Sequence, residues 1–201
     1  MRVRVLTLAA AFGVVAAVVP AHAAKAPKPQ ITDPAGDANG INDQGFGIGA
    51  PPSTATPVDD SNGDITSLAL ATTYKTSHHR RVPTGATMTL SLSAAPDSNH
   101  FYVVTVTTKT CKALEFIYDT NPVPLYAQNR ALCTDSTPSK EVGGVPAAVV
   151  KGNSLTWRLP LTVFPVGTTF SAISAQTLTG AVPAVVIDET DPSSVTFTVG
   201  K

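Results

Sequence analysis

Beyond residue 60 the apolar residues fall into short runs at a period of two. No stretch of ten or more residues carries an apolar stripe at helical spacing free of proline, glycine and β-branched runs. That pattern restricts the chain to β-structure. Met88, Leu90 and Leu92 alternate most cleanly, within 84–94. Further strand candidates are 65–70, 101–108, 114–118, 125–133, 170–177 and 194–199. Residues 147–161 read as a hairpin turning at Lys151-Gly152-Asn153-Ser154. Pro160 cannot donate to a ladder and marks an edge, a bulge or a strand exit. Seventeen prolines and fourteen glycines sit mostly between the runs. About eight to nine short strands at this spacing predict an all-β antiparallel sandwich, of jelly-roll or immunoglobulin-like type.

The N-terminus reads as a targeting signal. Arg2 and Arg4 precede an apolar run over 5–19, and Ala21-His22-Ala23 suits a signal peptidase, so 1–23 is expected to be removed. The run is short for a membrane span. Residues 24–30 are a flexible Pro- and Lys-containing lead-in, and 31–201 form one domain. The protein is expected outside the cell. Without Arg2 and Arg4, twelve Lys and Arg face fourteen Asp and Glu, a balance that offers no footprint for nucleic acid. Cys111 and Cys133, an even pair in an exported chain, are expected to form a disulfide closing a loop of about 20 residues.

Negative charge is concentrated over 33–64. Asp33, Asp37, Asp43, Asp59, Asp60 and Asp64 lie there, and no Lys or Arg occurs between Lys28 and Lys75. Interspersed Gly and Asn permit tight turns, and hard oxygen donors suit Ca2+. Asp60-Ser61-Asn62-Gly63-Asp64 starts like a helix–loop–helix calcium loop, but Ala71 stands where its closing Glu belongs, so a discontinuous site is expected. Asp33, Asp37 and carbonyls near Gly36 would form one wall and Asp64 the other, with Asp43, Asp59, Asp60 and Asn62 as second choices. A solvated loop whose Asp side chains cap turns is the alternative.

Asp33-Pro34-Ala35-Gly36-Asp37, then Gly63-Asp64-Ile65 opening a strand, resembles the start of carbohydrate-binding-module-9-like sandwich domains, relatives of DOMON domains in secreted bacterial proteins. Gly152-Asn153 with Leu155–Leu161, and Asp191-Pro192 before the closing strand, are similar to later segments of that group. The resemblance implies a sandwich with a structural calcium near the first turn and a non-catalytic binding or accessory role. It carries over no sugar-binding aromatics.

The residues themselves leave the ligand open. Trp157 alternates in phase with Leu155 and Leu159 and is expected in the core. Tyr74, Tyr102, Tyr118 and Tyr126 are dispersed, His78-His79-Arg80-Arg81 reads as a solvated turn, and His100 as a surface residue. No hydrolase, metalloprotease or phosphate-loop motif is present, and Glu115, Glu141 and Glu189 form no evident pair, so a non-enzyme is expected. Two readings result. One is a secreted binding module for polysaccharide or cell-envelope glycan. The other is a structural or protein-interaction sandwich. A row of Tyr, Asn and Gln on a sheet face would favour the first, a Thr/Ser/Val face the second.

Overall fold

The computed structural model describes residues 27–36, 38, 60–119, 130–179 and 186–201. The expected signal segment, and Asp37, Asp43, Asp59 and Tyr126, lie outside the described residues. The described fold is all-β. Its strands are β1 (Ile31–Thr32), β2 (Ile65–Ser77), β3 (Arg80–Leu92), β4 (His100–Thr107), β5 (Leu114–Asp119) and β6 (Ala131–Cys133). They continue with β7 (Lys140–Glu141), β8 (Val149–Lys151), β9 (Ser154–Pro160), β10 (Thr169–Thr179), β11 (Val186–Glu189) and β12 (Phe197–Thr198). One antiparallel sheet has the order β1-β2-β3-β9-β8. The other runs β11-β10-β4-β5-β6-β7, with β12 also on β10. The count of twelve exceeds the expected eight or nine because several strands, such as β1, β7 and β12, are two-residue pairings too short to show a period.

Alternation places the core. Leu68 and Leu70 of β2, Met88, Leu90 and Leu92 of β3, and Leu155, Trp157 and Leu159 of β9 all point inward and are buried. They meet Tyr102, Val104, Val106, Phe116, Phe170 and Ile173 of the opposite sheet in one cluster. Trp157 is a core residue, as its phase implies, with Phe116 edge-on at 6.5 Å between ring centroids. The predicted hairpin is β8–β9, its Lys151↔Ser154 pair closed by Gly152-Asn153. Pro160 is the last residue of β9, opposite Gly85 and beyond the reach of β8, so its missing N–H breaks no ladder.

The outward positions of β2, β3 and β9 are small and hydroxylated. Ala69, Thr89 and Thr156 lie abreast, as do Ala71, Thr87 and Arg158. The Thr89 and Thr156 hydroxyls are 3.1 Å apart.

The Cys111–Cys133 disulfide exists, with Cα atoms 5.8 Å apart. It ties the β4–β5 connection to β6, a three-residue strand with few ladder bonds of its own. Replacing both cysteines by Ala should lower unfolding free energy by about 3 kcal/mol, the loop-closure value for this separation. Urea denaturation with and without reductant checks it.

Candidate metal centre

The turn before β2 is built from its own polar groups. The Asp60 carbonyl accepts from the Gly63 N–H at 2.9 Å and the Asp64 N–H at 3.0 Å, and Asp60 Oδ1 faces the Gly63 N–H at 3.3 Å. Gly63 is required by space. A Cβ there would stand 2.7 Å from Ile187 Cγ2, so the turn presses its bare backbone onto β11. The next residue, Ile65, donates its N–H to Asp188 Oδ2 at 2.6 Å, which locks the start of β2 to β11 from 123 residues away.

Asp64 is the centre of this end of the sandwich and is 1 % exposed. Its Oδ2 accepts from the Gly36 N–H at 2.7 Å and from the Ser93 hydroxyl, while its carbonyl accepts the Ser93 N–H. The structure therefore brings the Asp33–Gly36 turn onto Asp64. Asp33 donates its N–H to the Thr66 carbonyl at 3.0 Å, and Gly36 reaches the carboxylate at φ +87°, a backbone region open to glycine. Asp64 Oδ1 is buried and has no hydrogen-bond partner. A buried carboxylate oxygen without a donor is costly, and either a buried water or a hard cation satisfies it. The Asp33–Gly36 turn and Asp64 offer oxygen donors, the chemistry that Ca2+ takes, but among the described residues no three carboxylate, His or Cys groups converge there.

Asp60 and Asn62 sit beside this centre with their side chains engaged elsewhere. Asn62 Nδ2 donates to the Ala95 carbonyl at 2.6 Å. Asp60 Oδ2 lies 2.9 Å from His100 Nε2, and Asp97 Oδ1 lies 2.7 Å from His100 Nδ1. His100 is thus buried rather than a surface residue, clamped between two carboxylates at the start of β4. Tyr102, two residues on, donates its hydroxyl to the Asn62 carbonyl at 2.9 Å and accepts the Asp97 N–H at 3.2 Å. The supporting roles of Ser93, Asp97, His100 and Asp188 had no local signal, because each acts across 29 to 123 residues or through a loop pairing.

Two titrating groups in this cluster are displaced. Burial works to raise the Asp97 carboxyl, but hydrogen bonds from the His100 ring and the Asn99 N–H outweigh it, and the net shift is downward. Tyr102 is pushed well above the ordinary phenol range, by burial first, with the Asp97 and Asp60 charges adding.

A second cluster, Cys111, Cys133 and Asp135, places metal-ligating atom types together, but both sulfurs are consumed by the disulfide. Asp135 Oδ2 instead accepts the Lys112 N–H at 2.7 Å, fixing the loop beside the bridge.

No family model matches this chain, and neither a curated protein nor a solved structure is significantly similar to it.

A depressed carboxyl contributes stability that is present above its unfolded value and lost as pH falls through the folded one. A raised phenol contributes below its unfolded value and loses that as pH rises. The melting temperature should therefore hold between about pH 4 and pH 10 and fall on both sides, the acid limb carrying Asp97 and the alkaline limb Tyr102. His100→Ala should destabilise by about 1–3 kcal/mol, since it strands two carboxylates. Urea unfolding across pH measures both.

Proposed function

We propose that the chain is an exported, non-catalytic binding module for a polysaccharide or cell-envelope glycan, its sandwich stapled by a structural calcium. The observation that carries the calcium is Asp64, whose Oδ1 is buried without a donor beside the Asp33–Gly36 turn. The short-motif resemblance to carbohydrate-binding-module-9-like domains supports the same placement. Asp33 and Asp64 hold the ion in this reading, with Asp37 and turn carbonyls as further donors. Asp60 and Asn62 serve as its frame, because their side chains are committed to His100 and Ala95.

The alternative, a structural or protein-interaction sandwich, has one observation in its favour. Among the described residues no row of Tyr, Asn and Gln lines a sheet face. Tyr102 is buried, Tyr74 is covered by Arg81 at 4.2 Å, and the outer face of β2, β3 and β9 is mostly Ala, Ser and Thr. Stacking of a neutral pyranose on an exposed ring therefore has little support.

Two experiments separate these readings. With calcium in hundredfold excess over its dissociation constant, the mature protein should gain about 2.7 kcal/mol over its stability in EDTA. Asp64→Asn should abolish that gain, whereas Asp97→Ala should lower melting in both buffers and keep it. Identical melting with calcium and with EDTA removes the calcium. A pull-down on insoluble polysaccharides and cell-wall preparations tests the module. Retention on one polymer supports it, and retention on none transfers the assignment to the structural reading.

A further inference from the structure

The near-zero formal charge conceals a division between the two sheets. The five-stranded sheet carries Lys75, Arg80, Arg81, Lys151 and Arg158 and contains no Asp or Glu. All five of those side chains are exposed. The strands of the other sheet carry Glu115, Asp119, Glu141, Asp188 and Glu189 against the single base Lys140. The outward phase of that sheet therefore carries Lys75, Arg80, Lys151 and Arg158 with no acid of its own strands to neutralise them, whereas Arg81 alternates to the side of Tyr74.

Within that face lies a built depression. A concavity of about 530 Å³ opens where Gly85 leaves the sheet bare, walled by Thr73, Thr84, Thr87 and Arg158. Glycine is obligatory at its floor, because a Cβ at 85 would meet the Leu159 carbonyl oxygen at 2.9 Å. The Thr73 and Thr84 hydroxyls are 3.1 Å apart and retain further donor and acceptor capacity. Arg158 lies beside Thr87 in register, and among the described residues it has no ion-pair partner.

The depression sits at the root of a projecting ribbon. β9 ends opposite Gly85, but β2 and β3 continue as a two-stranded arm from Tyr74↔Pro83 to Ser77↔Arg80. Its tip is a two-residue turn with His78 and His79 at φ 48° and 61°, the double left-handed geometry that matches hairpin twist. The arm carries Lys75, Arg80 and Arg81, with Arg81 laid over the Tyr74 ring.

We propose that this surface binds an acidic polysaccharide of the uronate class, one ring carboxylate pairing with the Arg158 guanidinium in the Gly85 depression. The neighbouring sugar hydroxyls bond to Thr73, Thr84 and Thr87, and the polymer continues along the basic arm. A planar guanidinium matches a carboxylate in two parallel hydrogen bonds. One such group among threonine hydroxyls suits a polymer with a single charge per ring, spaced by hydroxyls. A duplex nucleic acid presents denser charge and demands a denser basic track. The inference rests on the polysaccharide-binding reading and names its ligand class. It does not depend on the calcium.

The test is affinity electrophoresis of the mature protein in gels containing short oligogalacturonate, neutral dextran or dextran sulfate, at low and at 0.3 M salt. Oligogalacturonate should retard the wild type, with salt weakening the effect. Arg158→Gln should weaken binding at least tenfold at an unchanged melting temperature. Arg80→Gln with Arg81→Gln should weaken it less and flatten the salt dependence. Lys109→Gln, on the β4–β5 connection, should change nothing. Equal retardation of wild type and Arg158→Gln overturns the proposal, as does no retardation by oligogalacturonate. Stronger binding to dextran sulfate than to oligogalacturonate overturns the uronate assignment. Retention of both wild type and Arg158→Gln on a neutral polymer would leave the binding module standing and this site refuted.

Discussion

The burial of Asp64 sets the terms for everything at its end of the sandwich. A carboxylate at 1 % exposure has to be surrounded by donors, and the chain supplies them from far apart: the Gly36 N–H from the N-terminal turn and the Ser93 hydroxyl from the end of β3. Those contacts bring the first turn, the start of β2 and the exit of β3 to one point. The ring of Asp60, His100, Asp97 and Tyr102 then fixes the β3–β4 connection to the same turn. The second oxygen of Asp64 is buried without a hydrogen-bond partner, which is why it carries the case for a cation.

The two ends and two faces of the molecule divide their chemistry. Polar groups that the fold requires are buried near Asp64, Asp188 and His100, where they act on the backbone. The exposed side of the five-stranded sheet is left with small hydroxylated residues and positive charge. That separation lets the surface vary without touching the network that holds β2 in place, since β2 and β3 alternate strictly enough to keep Leu68, Leu70, Met88 and Leu90 inward whatever faces solvent.

Where the sequence was informative, the signal was local. Period-two runs located β2 to β5, β9 and β10, the Gly152-Asn153 turn marked a hairpin, and the phase of Trp157 placed it in the core. The Asp33–Gly36 turn and Asp64 could be paired because both sit at strand mouths, although nothing in the spacing showed that Gly36 would donate to the carboxylate. Strand order, the clamp on His100 and the charge division were illegible for one reason. Each depends on which strands become neighbours, and a period of two says which way a side chain points without saying what it will meet. His100 shows this directly. Read locally it opens a strand after a polar loop, yet Asp60, 40 residues earlier, comes back to cover it.

The closing contacts join opposite ends of the chain. Ser93 apart, the domain is stitched by Ile65 to Asp188, by the Gln30 carbonyl to the Ser193 hydroxyl, and by the Gly200 N–H to the Thr72 hydroxyl, across 123, 163 and 128 residues. Such long loops must close before their contacts reward them, so the topology is a slow-folding one. Until β11 and the last residues arrive, β2 lacks its anchor and the Gly63 turn has no Ile187 to rest against. The donors on Asp64, Gly36 and Ser93, precede β4 in the chain, so a chain emerging N-terminus first presents the acidic centre long before β11 arrives to anchor Ile65.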